Sequence, residues 1–126
     1  MKNLVFRVDS GLNIGSGHLM RCLTLAHNLN KISKYECTFI TRNHSGNFNE
    51  LVTLNGFKII LLENTELDKK VNGFSEWLGT SQQVDAAQTL AALNRKPFEH
   101  IDTLVVDHYA LDIQWEKQIR DISKKL

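Results

Sequence analysis

The sequence predicts a parallel α/β sheet flanked by helices, and three observations carry that expectation. Strand-like and helix-like segments alternate along the 126 residues. The strand candidates are apolar at consecutive positions, as strands covered on both faces are. The first of them runs into a glycine-rich turn that opens a helix, the joint from which parallel sheets are built.

The first strand is Asn3–Val8, dense in branched and aromatic residues. Turn formers fill Ser10–Gly17, and then Leu19, Cys22, Leu23, Ala26 and Leu29 recur at helical spacing along one apolar face. A second strand is expected at Glu36–Thr41, broken by a polar loop at Arg42–Asn47. Phe48–Leu54 fits a short helix capped by Asn55-Gly56, and Phe57–Leu62 a third strand. Beyond it, Glu63–Thr80 is polar around an isolated Trp77. Thr80 and Gln83 have capping-box spacing and open a helix with Val84, Ala87, Leu90 and Ala91 on its apolar side. Pro97 punctuates the next loop. Asp102–Asp107 forms a fourth strand, and a last helix begins near Ile113 with Trp115, Ile119 and Ile122 along one side. Both tryptophans fit packing roles better than binding platforms.

Composition excludes several classes of function. Fifteen basic and fourteen acidic residues leave a net charge of +1, so there is no basic footprint for nucleic acid or for an anionic membrane. No apolar run approaches the roughly 20 residues that a membrane-spanning helix needs. The apolar stretch after Lys2 is cut by Arg7 and Asp9, unlike a signal peptide, so a cytoplasmic protein is expected. Cys22 and Cys37 are too few for a disulfide scaffold or a cysteine zinc site, and read as small buried hydrophobes in a reducing compartment. His27, His44 and His100 show no metal spacing with carboxylates and read as surface residues.

Two stretches carry candidate chemistry. Arg7-Val8-Asp9 is followed by Gly15-Ser16-Gly17-His18, at a strand-to-helix turn where glycines allow a ligand close approach and the helix start offers N–H groups to an anion. A purely conformational turn explains the same glycines. Met20 stands where the dinucleotide fingerprint needs its third glycine, and no Gly-Lys-Ser/Thr ending follows, so neither that fingerprint nor a P-loop is present. His18 falls in the first helical turn, where the helix dipole favours the neutral ring, and a neutral imidazole there can activate water as a general base. Alternatively it only hydrogen-bonds its own loop. The second stretch, Asp107-His108-Tyr109, ends the fourth strand on the same rim. Asp107 can accept from a loop N–H or orient a histidine, and Tyr109 can stack on or hydrogen-bond a ligand; an ordinary strand-to-helix corner is the plain alternative. No nucleophile elbow of the G-x-S-x-G kind is present.

Taken together, the motifs resemble a known family. Phe6-Arg7-Val8-Asp9, Ile14-Gly15-Ser16-Gly17-His18 and Arg21-Cys22 with Leu25-Ala26 look like the opening of the UDP-2,4-diacetamido-2,4,6-trideoxy-β-L-altropyranose hydrolases of pseudaminic acid biosynthesis. Relatives of that family include spore-coat polysaccharide biosynthesis proteins. Trp77-Leu78-Gly79-Thr80-Ser81-Gln82 with Asp85-Ala86, and Val105-Val106-Asp107-His108-Tyr109 with Leu111-Asp112, agree in the same order.

The resemblance implies a Rossmann-like domain, the amino-terminal half of a glycosyltransferase-B-like architecture. It implies hydrolysis of a UDP-activated sugar with inversion at the anomeric carbon, releasing UDP and free sugar. By the same resemblance His18 matches the catalytic histidine, Tyr109 the active-site tyrosine, and Gly15 and Gly17 the glycines of the cleft loop. Asp9 belongs to the pattern, and with Asp107 it joins the expected substrate contacts. No metal and no cofactor is expected, provided backbone dipoles and a second domain stabilise the diphosphate. Family members are longer, and their second domain supplies most nucleotide contacts. The 126 residues are therefore expected to be an incomplete amino-terminal domain, inactive or weak alone, with an unpaired sheet edge that favours self-association. An inverting glycosyltransferase half, a non-catalytic nucleotide-sugar-binding domain and, last, a fragment of an NADP-linked dehydrogenase are the competing expectations.

Overall fold

The computed structural model describes residues 2–63, 78–94 and 101–123. Trp77, Pro97, His100 and the side chain of Ile122 lie outside the described residues. Among those described, the strands are β1 (Lys2–Val8), β2 (Tyr35–Arg42), β3 (Lys58–Leu62) and β4 (Thr103–Asp107). All pair in parallel, in the order β3-β2-β1-β4. The helices are α1 (Gly17–Ile32), α2 (Glu50–Leu54), α3 (Gln82–Leu93) and α4 (Ile113–Ser123). The chain has the Rossmann-like α/β architecture that its alternating pattern predicts.

Strand order decides which face each helix covers. The chain steps from β1 to β2 to β3 in one direction and places β4 on the other side of β1, so right-handed crossovers send the later helices to the opposite face. On the first face Leu4, Phe6 and Val8 of β1 and Cys37 and Phe39 of β2 pack beneath Leu19, Cys22, Leu23 and Ala26 of α1 and Val52 of α2. Phe6 and Phe39 are register partners and stack with ring centroids 4.6 Å apart. On the second face Leu104 and Val106 of β4 meet Ala86 and Leu90 of α3 and Trp115 and Ile119 of α4. Ala92 of α3 closes over Val5, Ile40 and Leu62. No helix among the described residues is long and apolar enough to cross a membrane.

Three local expectations need correction. The cap of α3 is Ser81, whose hydroxyl accepts from the Val84 N–H, in place of a box between Thr80 and Gln83. The buried face of α3 is Asp85, Ala86, Thr89, Leu90 and Ala92, while Val84, Ala87 and Ala91 are exposed. The helix is rotated because Asp85 is drawn inward by two buried cations. Arg42 is one of them: it ends β2, paired in register with Leu62, and does not open the polar loop.

The other cation is Arg7, fully buried on the second face of the central strand. Its Nε and Nη2 donate to Asp85, and its Nη1 and Nη2 donate to Asp9 at 2.6 and 3.1 Å. Arg42 Nη2 donates to Asp85 and to Gln88, both at 2.7 Å. Trp115 Nε1 donates to the same Asp85 carboxylate at 2.9 Å, and Thr89 adds its hydroxyl at 3.3 Å. Two guanidiniums and two carboxylates cancel in charge and take up most of each other's hydrogen-bonding capacity, with Arg42 Nη1 spent on the Glu63 carbonyl and Arg42 Nε left without a partner; pairing of this kind is the condition under which buried ions are tolerated. Removing one member strands the others. Asp85→Ala is therefore expected to cost about 3–5 kcal/mol, read as a lowered urea midpoint by circular dichroism; a change below about 1 kcal/mol would sink the account.

Candidate functional site

The order β2-β1-β4 makes the carboxyl ends of β1 and β4 a topological switch point, where connections leave in opposite directions and where open α/β sheets bind ligands in a crevice. Val8 and Asp107 are register partners, so the turn after β1 and the turn after β4 emerge side by side. The turn after β1 closes on itself, with Gly15 N–H donating to Gly11 C=O at 2.7 Å and the reverse bond at 3.3 Å. It is strapped to the loop after β2 by Leu12 N–H on Ser45 C=O and by Phe48 N–H on Ser10 Oγ. From it α1 starts at Gly17 and presents His18 in its first turn.

His18 and Asp107 meet at this switch point. Nδ1 of His18 lies 2.7 Å from Asp107 Oδ1 and 3.0 Å from Arg21 Nη2. A carboxylate only accepts and a guanidinium only donates, so the single proton position on Nδ1 must serve one of them. With Nδ1 bare, two acceptors would be forced together at 2.7 Å. With Nδ1 protonated, ring and guanidinium both donate to the same Oδ1, an ordinary shared acceptor. The proton is therefore assigned to Nδ1, so that in the neutral ring Nε2 carries the lone pair. Among the described residues nothing bonds Nε2. Tyr109, itself exposed, sets its ring edge-on to the imidazole, at 85° and 4.7 Å between centroids.

Arg21 grips Asp107 from one helical turn further on, with Nε at 3.2 Å and Nη2 at 2.9 Å from Oδ2 and Nη2 at 3.0 Å from Oδ1. Burial pushes the Asp107 carboxyl up, but hydrogen bonds from His18 and Arg21 outweigh it and hold the group below the usual carboxylate value. Cys22, the next residue on α1, is kept a thiol: burial foremost, with the Asp107 charge, pushes it up to about 12.

The resemblance puts Asp9 among the expected substrate contacts, and the structure buries it. It is 1% exposed, and both oxygens are taken. Oδ1 accepts from Arg7 and from the Arg42 N–H at 2.7 Å, and Oδ2 from Arg7, from His44 Nε2 at 3.1 Å and from His108 Nε2 at 3.0 Å. Nothing is left over for a ligand. Burial alone would raise this carboxyl, but the Arg7 charge and the bonds from His108, His44 and Arg7 hold it well below the usual range. His44 is correspondingly not a surface residue, its side chain being 14% exposed and bonded to Asp9. His108 is buried; its Nδ1 accepts from the Ala110 N–H at 3.0 Å, so its proton sits on Nε2. In the sequence His108 and Arg21 stand out only as members of motifs, Arg42 reads as a loop residue and His44 as a surface one, and none of the four is given a role at the site. The signal that could have found them is Arg7 and Arg42 at positions inside or ending apolar strands, where buried countercharges are obligatory. Among the described residues no group of three or more His, Cys, Asp or Glu can hold a metal ion.

The two expected glycines separate in kind. Gly15 has φ +80°, a left-handed conformation its turn requires, with open space where a side chain would go. Gly17 has no positive φ, and open space surrounds the position a β-carbon would take, so nothing in the fold itself demands glycine there.

Fold and rim together define a Rossmann-like α/β protein with a carboxylate-oriented imidazole at its switch point. No family model matches the chain, and no solved structure matches it. It is similar to a protein of Methanocaldococcus jannaschii named uncharacterized protein MJ1062, at 26% identity over 119 residues, which is 94% of this chain. The chain spans 19% of that protein's length.

Two outcomes follow for the isolated chain. Gly15→Ala is expected to lose about 1–2 kcal/mol, the left-handed penalty, while Gly17→Ala keeps or slightly raises the melting temperature; equal losses at both would refute the distinction. The folded carboxyls of Asp9 and Asp85 lie below their ordinary value of about 3.9. Between the folded and unfolded values the unfolded chain binds more protons, so stability is complete above about pH 5 and falls as the pH drops through that window. Urea midpoints measured from about pH 7 down to about pH 3 should show that decline, with a shallower slope in Asp9→Asn.

Proposed function

We propose that this chain supplies the water-activating half of an inverting nucleotide-sugar hydrolase acting on a UDP-activated 2,4-diacetamido-2,4,6-trideoxy sugar. One observation carries the chemistry: His18 is held through Nδ1 by Asp107, which leaves Nε2 as a base at the mouth of the switch-point crevice. The substrate class rests on the ordered motifs, from Phe6-Arg7-Val8-Asp9 through Asp107-His108-Tyr109.

In the proposed reaction a water oxygen attacks the anomeric carbon from the side opposite the nucleotide, and His18 Nε2 takes a water proton as the C–O bond forms. The bond from the anomeric carbon to the diphosphate oxygen breaks, and its electron pair leaves with UDP. Displacement from the opposite face inverts the configuration. UDP is a good leaving group, so one oriented base suffices on the water side. Asp107 holds the ring in the tautomer that can accept. Tyr109 stands beside the ring with an exposed face for the sugar. Ser16 makes no side-chain cap on α1 and the first turn has no acid, so the helix start remains open to an electronegative group of the substrate. The open space at Gly17 suits the same approach. A second domain is the proposed source of the uridine and most diphosphate contacts.

The test is UDP release from the diacetamido-trideoxy-altrose nucleotide, by this chain and by a longer one that carries a following domain. Turnover by the longer chain is expected, with free sugar of inverted configuration as co-product, and His18→Ala should lower it by roughly 10²–10⁴-fold, the range of a general base. Near-normal turnover in His18→Ala would remove the base assignment. Formation of a glycoside in place of free sugar would move the reaction to a transferase.

A further inference from the structure

A histidine pinned by a carboxylate gains orientation at a cost. The same negative charge that fixes its tautomer stabilises the protonated ring, and a protonated ring cannot act as a base. At this site the carboxylate is not alone. Arg21, one turn beyond His18 on α1, binds Asp107 through both Nε and Nη2 and brings Nη2 to 3.0 Å from His18 Nδ1. The groups facing the imidazole are thus Asp107 from β4, Arg21 from α1 and the phenol ring of Tyr109 from the turn after β4. Cys22, whose thiol stays protonated, is coupled to Asp107 and Arg21 behind them. Asp107 and Arg21 sum to zero charge.

We infer that Arg21 is a positioning residue that separates orientation from charge: it lets Asp107 fix the His18 tautomer while cancelling the field that would hold a second proton on the ring. Two features support a purpose beyond anchoring α1. The guanidinium is spent entirely at the rim, in a side chain 65% exposed, where an ordinary surface ion pair contributes little stability. It also approaches the ring nitrogen that is already protonated, so that a second proton on Nε2 would place a full positive charge beside it. Geometry alone makes the direction unambiguous. Removing Arg21 removes a repulsive cation and unmasks an attractive anion, and both changes favour imidazolium.

The role in turnover rests on the base assignment of His18; the effect on the ring does not. The first experiment therefore follows the His18 ring by ¹H–¹⁵N correlation NMR across pH in this chain. Arg21→Gln should raise the midpoint of ring protonation by roughly half a pH unit or more, about a threefold change in the protonation constant. Arg21→Lys, which keeps the charge, should recover most of the difference, and Asp107→Asn should move the midpoint downward. Arg21→Met provides an uncharged side chain of similar length should glutamine disturb the helix, and retained amide dispersion shows that each variant is folded. A midpoint that stays put or falls in Arg21→Gln and Arg21→Met overturns the proposal, because a residue that only tethers α1 would leave it unmoved. In a form that releases UDP, the acid limb of the pH–rate profile should move up by the same amount. If the ring responds and no form releases UDP, the hydrolase assignment fails while this one stands. If UDP is released and neither ring nor acid limb responds, this proposal alone fails.

Discussion

A guanidinium with no access to water sits at the centre of this molecule, and most of what surrounds it follows from satisfying it. Arg7 lies on the central strand, on the face that α3 and α4 cover, where an uncompensated charge would be prohibitive. Its fork of N–H donors requires carboxylates, and the fold delivers one from two residues along the chain and one from 78 residues away. Asp85 then fixes α3 in rotation about its own axis and engages Trp115 of α4. Asp9, neutralised by Arg7, is free to accept from the end of β2 and from two histidines. A continuous set of charge-assisted bonds therefore runs from the helices of the second face through the sheet to the rim. Such a set contributes less to net stability than to a single arrangement, since alternatives leave a charge unpaired. A single fixed arrangement of the rim residues is what that set provides.

The connection to the site is short. Asp9 holds His108, and His108 is the residue between Asp107 and Tyr109. Its other ring nitrogen takes the Ala110 N–H, and its carbonyl takes the Leu111 N–H, so the turn after β4 is tied at three points. Asp107 and Tyr109, two of the three groups that face His18, thus stand on a corner whose orientation is inherited from Arg7. Across the crevice, the turn that delivers His18 is braced by the paired Gly11 and Gly15 and by the loop after β2.

Much of the fold is legible in the sequence because hydrophobic period reports burial directly. β1, the glycine turn and α1 announce themselves through a change of period from consecutive to helical at Leu19, Cys22, Leu23 and Ala26. The same method misplaces α3, since it ranks Val84 and Ala87 above Asp85 and Thr89, and the structure buries the polar pair. No one-dimensional pattern states that the partner of Arg7 lies 78 residues on, although an arginine within an apolar strand does state that a partner must exist. At the site, His18, Asp107 and Tyr109 are legible as residues on one rim, because parallel strands bring their carboxyl ends together. Their pairing depends on the β1–β4 register, which the sequence does not display. His44 is missed for a different reason: a search for metal-ligand spacing has no means of finding a histidine whose role is to hydrogen-bond a buried carboxylate.

The histidines of the rim show how a fold assigns chemistry to identical side chains. His108 is fully employed: one nitrogen donates to Asp9 and the other accepts from a backbone amide, so a further proton on Nδ1 would set two N–H groups against each other. It can only hold structure. His18 commits Nδ1 alone and keeps Nε2, so it retains both an orientation and a lone pair. The carboxylates differ in the same sense. Asp9 is saturated by its arginine, histidine and backbone donors and sealed from solvent, whereas Asp107 is partly exposed and shares its charge with a surface arginine. Which ring nitrogen at this rim is left without a partner among the described residues is therefore decided by the hydrogen-bond network around it.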